Sequence, residues 1–252
     1  MLKYFKYRYR LLKCQTKEMF FISKKSDIVI PPPKLRYRVH GSLELNSYVQ
    51  AGVNCWRSIK NILGGQNLLF ESFNEVLDFG CGCGRVLVNI PQYKDQNIHG
   101  WDIDSESVTW CQNQIDGVRF STIEHNPPVI VENHSFDFIY SISVFTHLNE
   151  KMQLEWLKEL SRILKPNGFA IVSVHGEFHR QIKQSEIEIL EGFKFKVLEK
   201  GIFKRDGLPD FYQDAQHTRN YIMKVWSRYF DVVNYIEKGI NGHQDAVVLK
   251  SK

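Results

Sequence analysis

The stretch VLDFGCGCGR, Val76–Arg85, decides the fold of this chain. An apolar run typical of a buried strand is followed by a glycine at every second position, at Gly80, Gly82 and Gly84. Glycines let a backbone turn tightly and approach a ligand closely. In a doubly wound sheet, ligands bind beyond the carboxyl ends of the strands, which is where this turn lies. The stretch therefore predicts a first strand followed by a ligand-binding turn.

Strands and helices alternate on both sides of this turn. We predict helices at 46–63, 85–93, 105–114, 149–164 and 218–229, and strands at 76–79, 98–103, 118–123, 136–143, 169–175, 230–240 and 245–250. The last two strands are joined by a turn that contains Asn241-Gly242, which is typical of an antiparallel pair. The order predicts an α/β, Rossmann-like doubly wound fold with a mostly parallel seven-stranded sheet and a C-terminal antiparallel strand pair.

Two regions fall outside this alternation. Residues 1–45 are predicted to be a basic arm followed by an extended, proline-led segment, IPPPKLRYRVHGS. Residues 46–252 form the predicted cofactor-binding domain. Within it, the polar stretch at about 176–217 interrupts the sheet, and we interpret it as an insert that covers the substrate.

Charge is concentrated in the arm. The chain of 252 residues has a net charge of +5, and residues 1–25 hold eight Lys/Arg and one acid, Glu18. Basic residues interleaved with Tyr and Phe predict peripheral contact with an anionic membrane, or a solvated arm. The rest of the chain has no basic excess, so we expect no nucleic-acid partner. No run has the length of a membrane span or a secretory signal, so we expect a cytoplasmic protein.

The glycine turn departs from the dinucleotide fingerprint GxGxxG, because Arg85 stands where the sixth position requires glycine. Asp78 would also repel a pyrophosphate, whereas it would suit a cofactor with a positive centre and an ammonium group. Asp102, about 20 residues further on, is placed to accept hydrogen bonds from ribose hydroxyls. Asp104 is the alternative for that role, or a cap of the next helix.

Four segments carry a resemblance to a known family. VLDFGCGCGR, IHGWDID, FDFIYSISVFTHL and LKPNGFAIVSV resemble, in order and spacing, the signatures of class I S-adenosylmethionine-dependent methyltransferases. The similarity covers roughly residues 46–250. PPPKLRYRVHGS, LPDFYQDAQHTRNYIMKVW and GHQDAVVL are similar to methyltransferases of bacterial glycan and natural-product biosynthesis. This resemblance implies S-adenosylmethionine as the cofactor.

The resemblance also implies roles for individual residues. It assigns the amino-acid part of the cofactor to the Gly80–Gly84 turn with Asp78, ribose to Asp102 and adenine packing to Ile103. The adenine edge is assigned to Asn126 or its neighbour His125. The methyl-transfer site is lined by the end of the fourth strand. The predicted cofactor-binding residues are Asp78, Gly80, Cys81, Gly82, Gly84, Asp102, Ile103, Asn126, Ser141 and Ser143.

Three histidines are candidates for the general base of a methyl transfer to a hydroxyl group. His147 follows the fourth strand, His175 ends the fifth, and His217 precedes the late helix; His40 is a further candidate from the proline-led segment. Each could instead be structural. Cys81-x-Cys83 lacks a second metal-binding pair, so we predict no metal site.

The sequence therefore predicts an S-adenosylmethionine-dependent methyltransferase that acts at oxygen on a small-molecule or glycan-like acceptor. Two alternatives remain open. One is a non-catalytic cofactor-binding scaffold whose basic arm binds a membrane or a partner. The other is a nicotinamide-dependent oxidoreductase on a similar sheet.

Overall fold

A computed structural model of the chain describes residues 6, 8–14, 29–91, 96–182, 192–197, 209 and 211–252. Most of the predicted basic arm and the centre of the predicted insert lie outside these residues. Residues 8–14 are helical. The labelled helices are α1 Pro33–His40, α2 Leu45–Gly64, α3 Ser105–Gln114, α4 Glu150–Ile163, α5 Glu177–Ile182 and α6 Arg219–Val225. The strands are β1 Glu75–Phe79, β2 Asn97–Asp102, β3 Val118–Thr122, β4 Phe136–Ser141, β5 Leu164–Val174, β6 Phe193–Lys196, β7 Asp214–His217, β8 Phe230–Ile240 and β9 Gln244–Ser251.

Seven strands form one sheet in the order β3-β2-β1-β4-β5-β9-β8. The first five run parallel, and β9 lies antiparallel between β5 and β8. The predicted fold class is therefore confirmed. A second sheet pairs β6 with β7, and one bridge between His175 and Gln216 joins β7 to the end of β5.

Both faces of the sheet are covered by helices. Successive side chains of a strand point to opposite faces, so neighbouring residues of β1 pack in different apolar clusters. Val76 of β1 packs in one apolar cluster with Trp56 and Ile59 of α2. Its neighbour Leu77 packs in the other cluster, with Trp156 of α4. Both helices have the apolar stripe that the sequence spacing predicts.

Helix caps fix where several helices begin. The side chain of Asn149 accepts a hydrogen bond from the Met152 amide at 3.0 Å, which starts α4. Thr218 caps α6 by accepting from the Tyr221 amide at 3.0 Å, where the helix predicted at 218–229 begins. Asp104 caps α3 through the Ser107 amide at 3.4 Å. Ser, Thr, Asn and Asp are preferred at this position because they satisfy amides that the helix leaves unpaired.

Two predictions of local structure are wrong. The proline-led segment is not extended but contains α1, with Pro33 at its first position, where a missing amide hydrogen is tolerated. The chain after the glycine turn forms a short 3₁₀ helix at Leu87–Asn89 rather than a long helix over 85–93. None of the helices in the described part of the chain is long and apolar enough to cross a membrane.

Candidate functional site

The glycine turn after β1 forms a cradle of bare backbone. Gly80, Gly82 and Gly84 all have positive φ, at +83°, +54° and +73°. A Cβ at Gly80 would overlap Cγ2 of Val144, and one at Gly82 would lie 2.6 Å from Cγ2 of Val39. Glycine is therefore required at Gly80 and Gly82 for two reasons: the backbone has positive φ, and there is no space for a Cβ.

Asp102 closes one side of this cradle at the end of β2. Its Oδ2 accepts a hydrogen bond from the Gly82 amide at 2.6 Å, and its Oδ1 accepts one from the Asp104 amide at 2.8 Å. Burial raises the pKa of the Asp102 carboxyl, while these two hydrogen bonds act in the opposite direction. A carboxylate offers about four acceptor positions, so capacity remains for the two hydroxyls of a ribose.

Asp78 lies beneath the turn and is only 2% exposed. Burial raises the pKa of its carboxyl to about 8, the Tyr140 phenol beside it acts in the opposite direction, and the Asp102 carboxylate adds to the rise. A cationic ligand above the turn would favour the ionised form of Asp78. The charge of this carboxyl, which lies under the cradle, therefore depends on whether a cationic ligand is bound.

These residues border a cleft that encloses ≈ 850 Å³ of space, part of it open to solvent. Among the predicted cofactor residues, Gly80, Gly82, Asp102, Ile103 and Ser143 line it. The opposite walls come from α1, the β3 exit and the region before β7, through Arg38, Val39, Ile123, His125, Phe211 and Tyr212. A cleft with mostly apolar walls and a few polar groups is typical of a small-molecule site.

The other predicted cofactor residues lie elsewhere. Cys81 and Ser141 are buried, at 5% and 0% exposure, and do not line the cleft. Gly84 packs instead against α3, since a Cβ there would lie 2.5 Å from Cδ1 of Ile115. Asn126 is exposed, whereas its neighbour His125 lines the cleft with its ring 5.3 Å from that of Phe211. The choice between His125 and Asn126 remains a prediction, and cleft position favours His125.

The exit of β4 bends sharply beside the glycine turn. Ser143 has φ +63°, and its amide donates to Oγ of Ser173 at 2.7 Å. The Ser143 hydroxyl lies 2.9 Å from Nε2 of Gln244 on β9. Strands β4, β5 and β9 therefore jointly hold the backbone that faces the cleft.

The candidate base His147 follows this bend. Its Nδ1 lies 2.6 Å from the Gln213 carbonyl oxygen, which can only accept, so Nδ1 carries a proton. In the neutral ring the lone pair is then on Nε2. The ring stacks on Tyr212 with 3.8 Å between centroids, and Tyr212 lines the cleft.

The other two histidine candidates have different surroundings. His175 pairs its Nδ1 with Oδ1 of Asp214 at 2.9 Å and stacks on His179. His217 is fully buried, and its Nε2 lies 2.8 Å from Oε1 of Gln153. Burial lowers the pKa of His217 to about 3, so the ring is neutral. His217 does not line the cleft and has the position of a core residue.

Sequence reasoning did not assign Arg38, Val39 and Trp156, which line the cleft, or Asp214, which pairs with His175. Arg38 and Val39 come from the segment that was predicted to be extended, and Trp156 lies on the helix predicted at 149–164. In α1, Lys34 and Arg38 lie about one helical turn apart and therefore on the same face. No nearby sequence signal indicated that these two basic residues would pair with Glu106 and Asp104.

The cleft fits S-adenosylmethionine on its own geometry. The glycine cradle leaves space that any side chain would fill, Asp102 has acceptor capacity for a ribose, and Ile103 offers an apolar surface for a flat ring. Cys81 and Cys83 are buried, and burial raises the pKa of both thiols, that of Cys83 to about 11. Neither thiol is therefore suited to metal binding at neutral pH.

Comparisons with known proteins agree with this geometry. Residues 76–168 match the family model described as a methyltransferase domain. The cyclopropane-fatty-acyl-phospholipid synthase of Escherichia coli (strain K12) is 23% identical over 195 residues, which cover 73% of this chain and 48% of that protein. The chain thus spans about half the length of the curated relatives it matches.

Two solved structures show the same fold. A SAM-dependent methyltransferase from Methanosarcina mazei has a TM-score of 0.52 and 18% identity, covering 74% of this chain and 95% of that one. The 1,6-didemethyltoxoflavin-N1-methyltransferase of Burkholderia thailandensis, solved with 1,6-didemethyltoxoflavin and S-adenosylhomocysteine bound, has a TM-score of 0.57 and 15% identity. It covers 90% of this chain and 93% of that one.

Residues 76–168 therefore match a methyltransferase domain, and the chain has the fold of S-adenosylmethionine-dependent methyltransferases. Its cofactor is S-adenosylmethionine, and the resemblance drawn from the four sequence signatures is confirmed.

Proposed function

We propose that the protein transfers a methyl group to a hydroxyl oxygen of a small-molecule or glycan-like acceptor. The observation that carries this proposal is the position of His147. Its ring stacks on Tyr212 of the cleft, and the Gln213 carbonyl holds its proton on Nδ1. An imidazole with its lone pair on Nε2 beside a cofactor cleft is suited to accept a hydroxyl proton.

The residues around the glycine turn would hold the cofactor. Gly80 and Gly82 would border its amino-acid part, and Asp78 would lie beneath the ammonium group. Asp102 would accept hydrogen bonds from the ribose hydroxyls, and Ile103 would pack on adenine. When bound, S-adenosylmethionine supplies a methyl group on a positively charged sulfur. The protein's own task is then to place the acceptor oxygen in line with that group and to exclude water.

His147 would accept the proton of the acceptor hydroxyl on Nε2 as that oxygen takes up the methyl group that the cofactor would supply. The positive charge of the sulfonium would thereby pass to the imidazolium, so the charge of the step would balance. His175 is the second candidate for this role, but it already shares a hydrogen bond with Asp214. We assign no chemical role to His217, because it is buried in the core.

The side chains on the acceptor side of the cleft favour an acceptor that contains a ring. Phe211, Tyr212 and His125 provide aromatic faces there, and flat apolar surfaces of this kind pack on sugar and heterocyclic rings. The Burkholderia thailandensis neighbour binds 1,6-didemethyltoxoflavin. We infer that the described parts of the 176–217 insert cover this acceptor, since Gln213 and Ala215 donate to the backbone of 146–147 at the β4 exit.

A turnover assay with a matched pair of variants tests the proposal. S-adenosylhomocysteine release is measured with panels of hydroxyl-bearing and amine-bearing acceptors. We expect turnover with a hydroxyl acceptor, and a drop in kcat of about 10²- to 10⁴-fold in His147→Gln with cofactor affinity unchanged. His99→Gln is the control, because it changes a histidine that pairs with Glu75 of β1 instead. Turnover of amines alone, or full activity of His147→Gln, contradicts the proposal.

We also propose that the arm contacts an anionic membrane surface. In its helical stretch Tyr9 and Leu12 are 67% and 60% exposed, next to the exposed Arg8 and Arg10. Apolar and basic side chains together favour the interface of anionic lipids. Co-sedimentation with phosphatidylserine vesicles should fall with added salt and disappear when residues 1–25 are removed. Salt-independent or arm-independent binding would argue against it.

A further inference from the structure

A cluster of metal-binding side chains lies beside the acceptor end of the sheet. His175, His179 and Asp214 each offer a ligand atom, and these atoms lie within 4.8 Å of one another. They come from three separate elements: the end of β5, helix α5 and strand β7. We propose that these three residues form a site for a divalent cation of the Zn²⁺ class. The inference goes beyond the proposed function and stands on its own geometry.

The donor set fits this class of ion. Two imidazoles and one carboxylate suit Zn²⁺ and related transition metals, which take nitrogen and oxygen ligands at about 2.0–2.2 Å. The site is largely shielded from water, since the side chains of His175 and Asp214 are 15% and 8% exposed. Three protein ligands leave a fourth position for water or another donor.

The surrounding backbone positions the donors before any ion binds. The His217 amide donates to the His175 carbonyl at 2.9 Å, and the His175–Gln216 bridge sets β7 against the end of β5. Nε2 of the Gln216 side chain also donates to Oδ2 of Asp214 at 3.0 Å, which fixes the carboxylate. Residues that hydrogen-bond to metal-binding side chains orient those side chains in many proteins.

Helix α5 is anchored in the same way. The Phe178 amide donates to Oδ2 of Asp245 at 3.1 Å, and the Glu177 amide donates to the Tyr235 hydroxyl at 3.1 Å. His179 follows directly and stacks on His175, with 4.1 Å between centroids and 8° between ring planes. An ion lies in the plane of each ring that ligates it, so binding turns these rings out of the stack. Histidine χ2 is a broad torsion that allows such a turn.

An ion at this position ties α5 and β7 to the end of β5. Both elements belong to the insert that borders the β4 exit, and the His147 ring lies 6.3 Å from the His175 ring. The cation therefore holds the insert in place next to the candidate base. It acts on the position of the insert rather than on the methyl group itself.

Binding of Zn²⁺ and Co²⁺ to the full, untagged chain tests the site. By calorimetry, we expect one ion per chain with a dissociation constant in the micromolar range or below. Co²⁺ should give visible absorption without a thiolate charge-transfer band, because the ligands are imidazole and carboxylate and not cysteine. Zn²⁺ at about 100 times its dissociation constant should raise the unfolding midpoint on the order of 5 °C.

Variants distinguish this site from adventitious binding. Asp214→Asn keeps the shape of the side chain and His179→Gln removes a ligand from the short helix; each should weaken Zn²⁺ binding at least tenfold. His99→Ala removes a half-buried histidine with a carboxylate partner elsewhere and should bind as the parent does. Absence of binding, or equal binding in the Asp214 and His179 variants, overturns the proposal. Because the readout is ion binding, its failure is separate from failure of methyl transfer.

Discussion

Arg38 and Asp104, 66 residues apart, form a buried ion pair over the cofactor cleft. Nη1 of Arg38 lies 2.9 and 2.7 Å from the two oxygens of Asp104, and the side chains are 4% and 9% exposed. Nη2 of Arg38 reaches Glu106 at 2.6 Å. Asp104 therefore caps α3 and fastens α1 at the same time.

Removing Arg38 should release α1 from the cleft. We expect Arg38→Ala to lower the free energy of unfolding by about 3 kcal/mol, because it leaves a buried carboxylate unpaired. Affinity for S-adenosylhomocysteine should fall with it. Lys34→Ala is the control, since the Lys34–Glu106 pair is exposed and such pairs contribute about 0.5 kcal/mol. Urea unfolding and calorimetry measure both effects; equal losses in the two variants would contradict this account.

Asp102 should be essential for cofactor affinity. Asp102→Asn keeps the shape but turns one acceptor oxygen into a donor that faces the amides of Gly82 or Asp104. We expect S-adenosylhomocysteine to bind at least tenfold more weakly, which is about 1.4 kcal/mol. Asp231→Asn, on the exposed face of β8, should have no effect. Unchanged affinity in the Asp102 variant would remove its assignment to ribose.

Gly80 should tolerate no side chain. Gly80→Ala adds a strained positive φ to an overlap with Val144, for a combined loss of about 3 kcal/mol in stability. Gly242→Ala is the matched control: its φ is +71°, but nothing lies within 4 Å of the added Cβ. It should lose only about 1 kcal/mol, from the backbone conformation alone. Thermal unfolding compares the two, and equal losses would show that space is not limiting at Gly80.

Asp78 should destabilise the cofactor-free protein as pH rises. Its folded pKa of about 8 lies above its unfolded value of about 3.9, so the unfolded state loses its proton first. The stability contribution is complete below pH 4 and is lost up to pH 8. Asp78→Asn should remove this decline, by up to about 1.4 kcal/mol per pH unit, and weaken S-adenosylhomocysteine binding. Parallel pH profiles of the two proteins would contradict the assignment.

His217 should lower the stability of the protein as the pH falls, whereas Asp78 lowers it as the pH rises. Its folded pKa of about 3 lies below the unfolded value of about 6.5, so only the unfolded state takes up a proton between these limits. Stability is therefore lost as pH falls from 6.5 towards 3. His217→Gln retains a donor for Gln153 and should lose this part of the acid sensitivity. Urea titrations at pH 7 and pH 4.5 measure it, and an unchanged acid slope would place the sensitivity elsewhere.

Much of the fold was predictable because its signals are local. The glycine turn, the alternation of apolar runs, the Thr218 cap and the Asn241-Gly242 turn each act within a few residues. Helix α1 was missed because its stability comes from distant carboxylates at Asp104 and Glu106. A proline-led, basic octapeptide has little helix signal of its own.

The site was predictable to the same extent. Gly80, Gly82 and Asp102 line the cleft because strand ends determine their place. Ser141, in contrast, is fully buried and does not line the cleft, and its assignment stays a prediction. The convergence of His175, His179 and Asp214 could not be predicted, because it depends on where β7 returns to the sheet. The bridge between His175 and Gln216 and the backbone hydrogen bonds from Ala215 and His217 establish that return.

The position of β9 affects how the protein is made. Strand β8 pairs with the sheet only through β9, and Gln244 at the start of β9 holds Ser143 at the cleft. A ribosome releases residues 76–174, with the glycine turn and five parallel strands, long before β9 emerges. The nascent chain therefore has an open sheet edge at β5, which is a surface that chaperones recognise and that favours aggregation. The backbone at Ser143 therefore gains its support from Gln244 only after β9 has been synthesised.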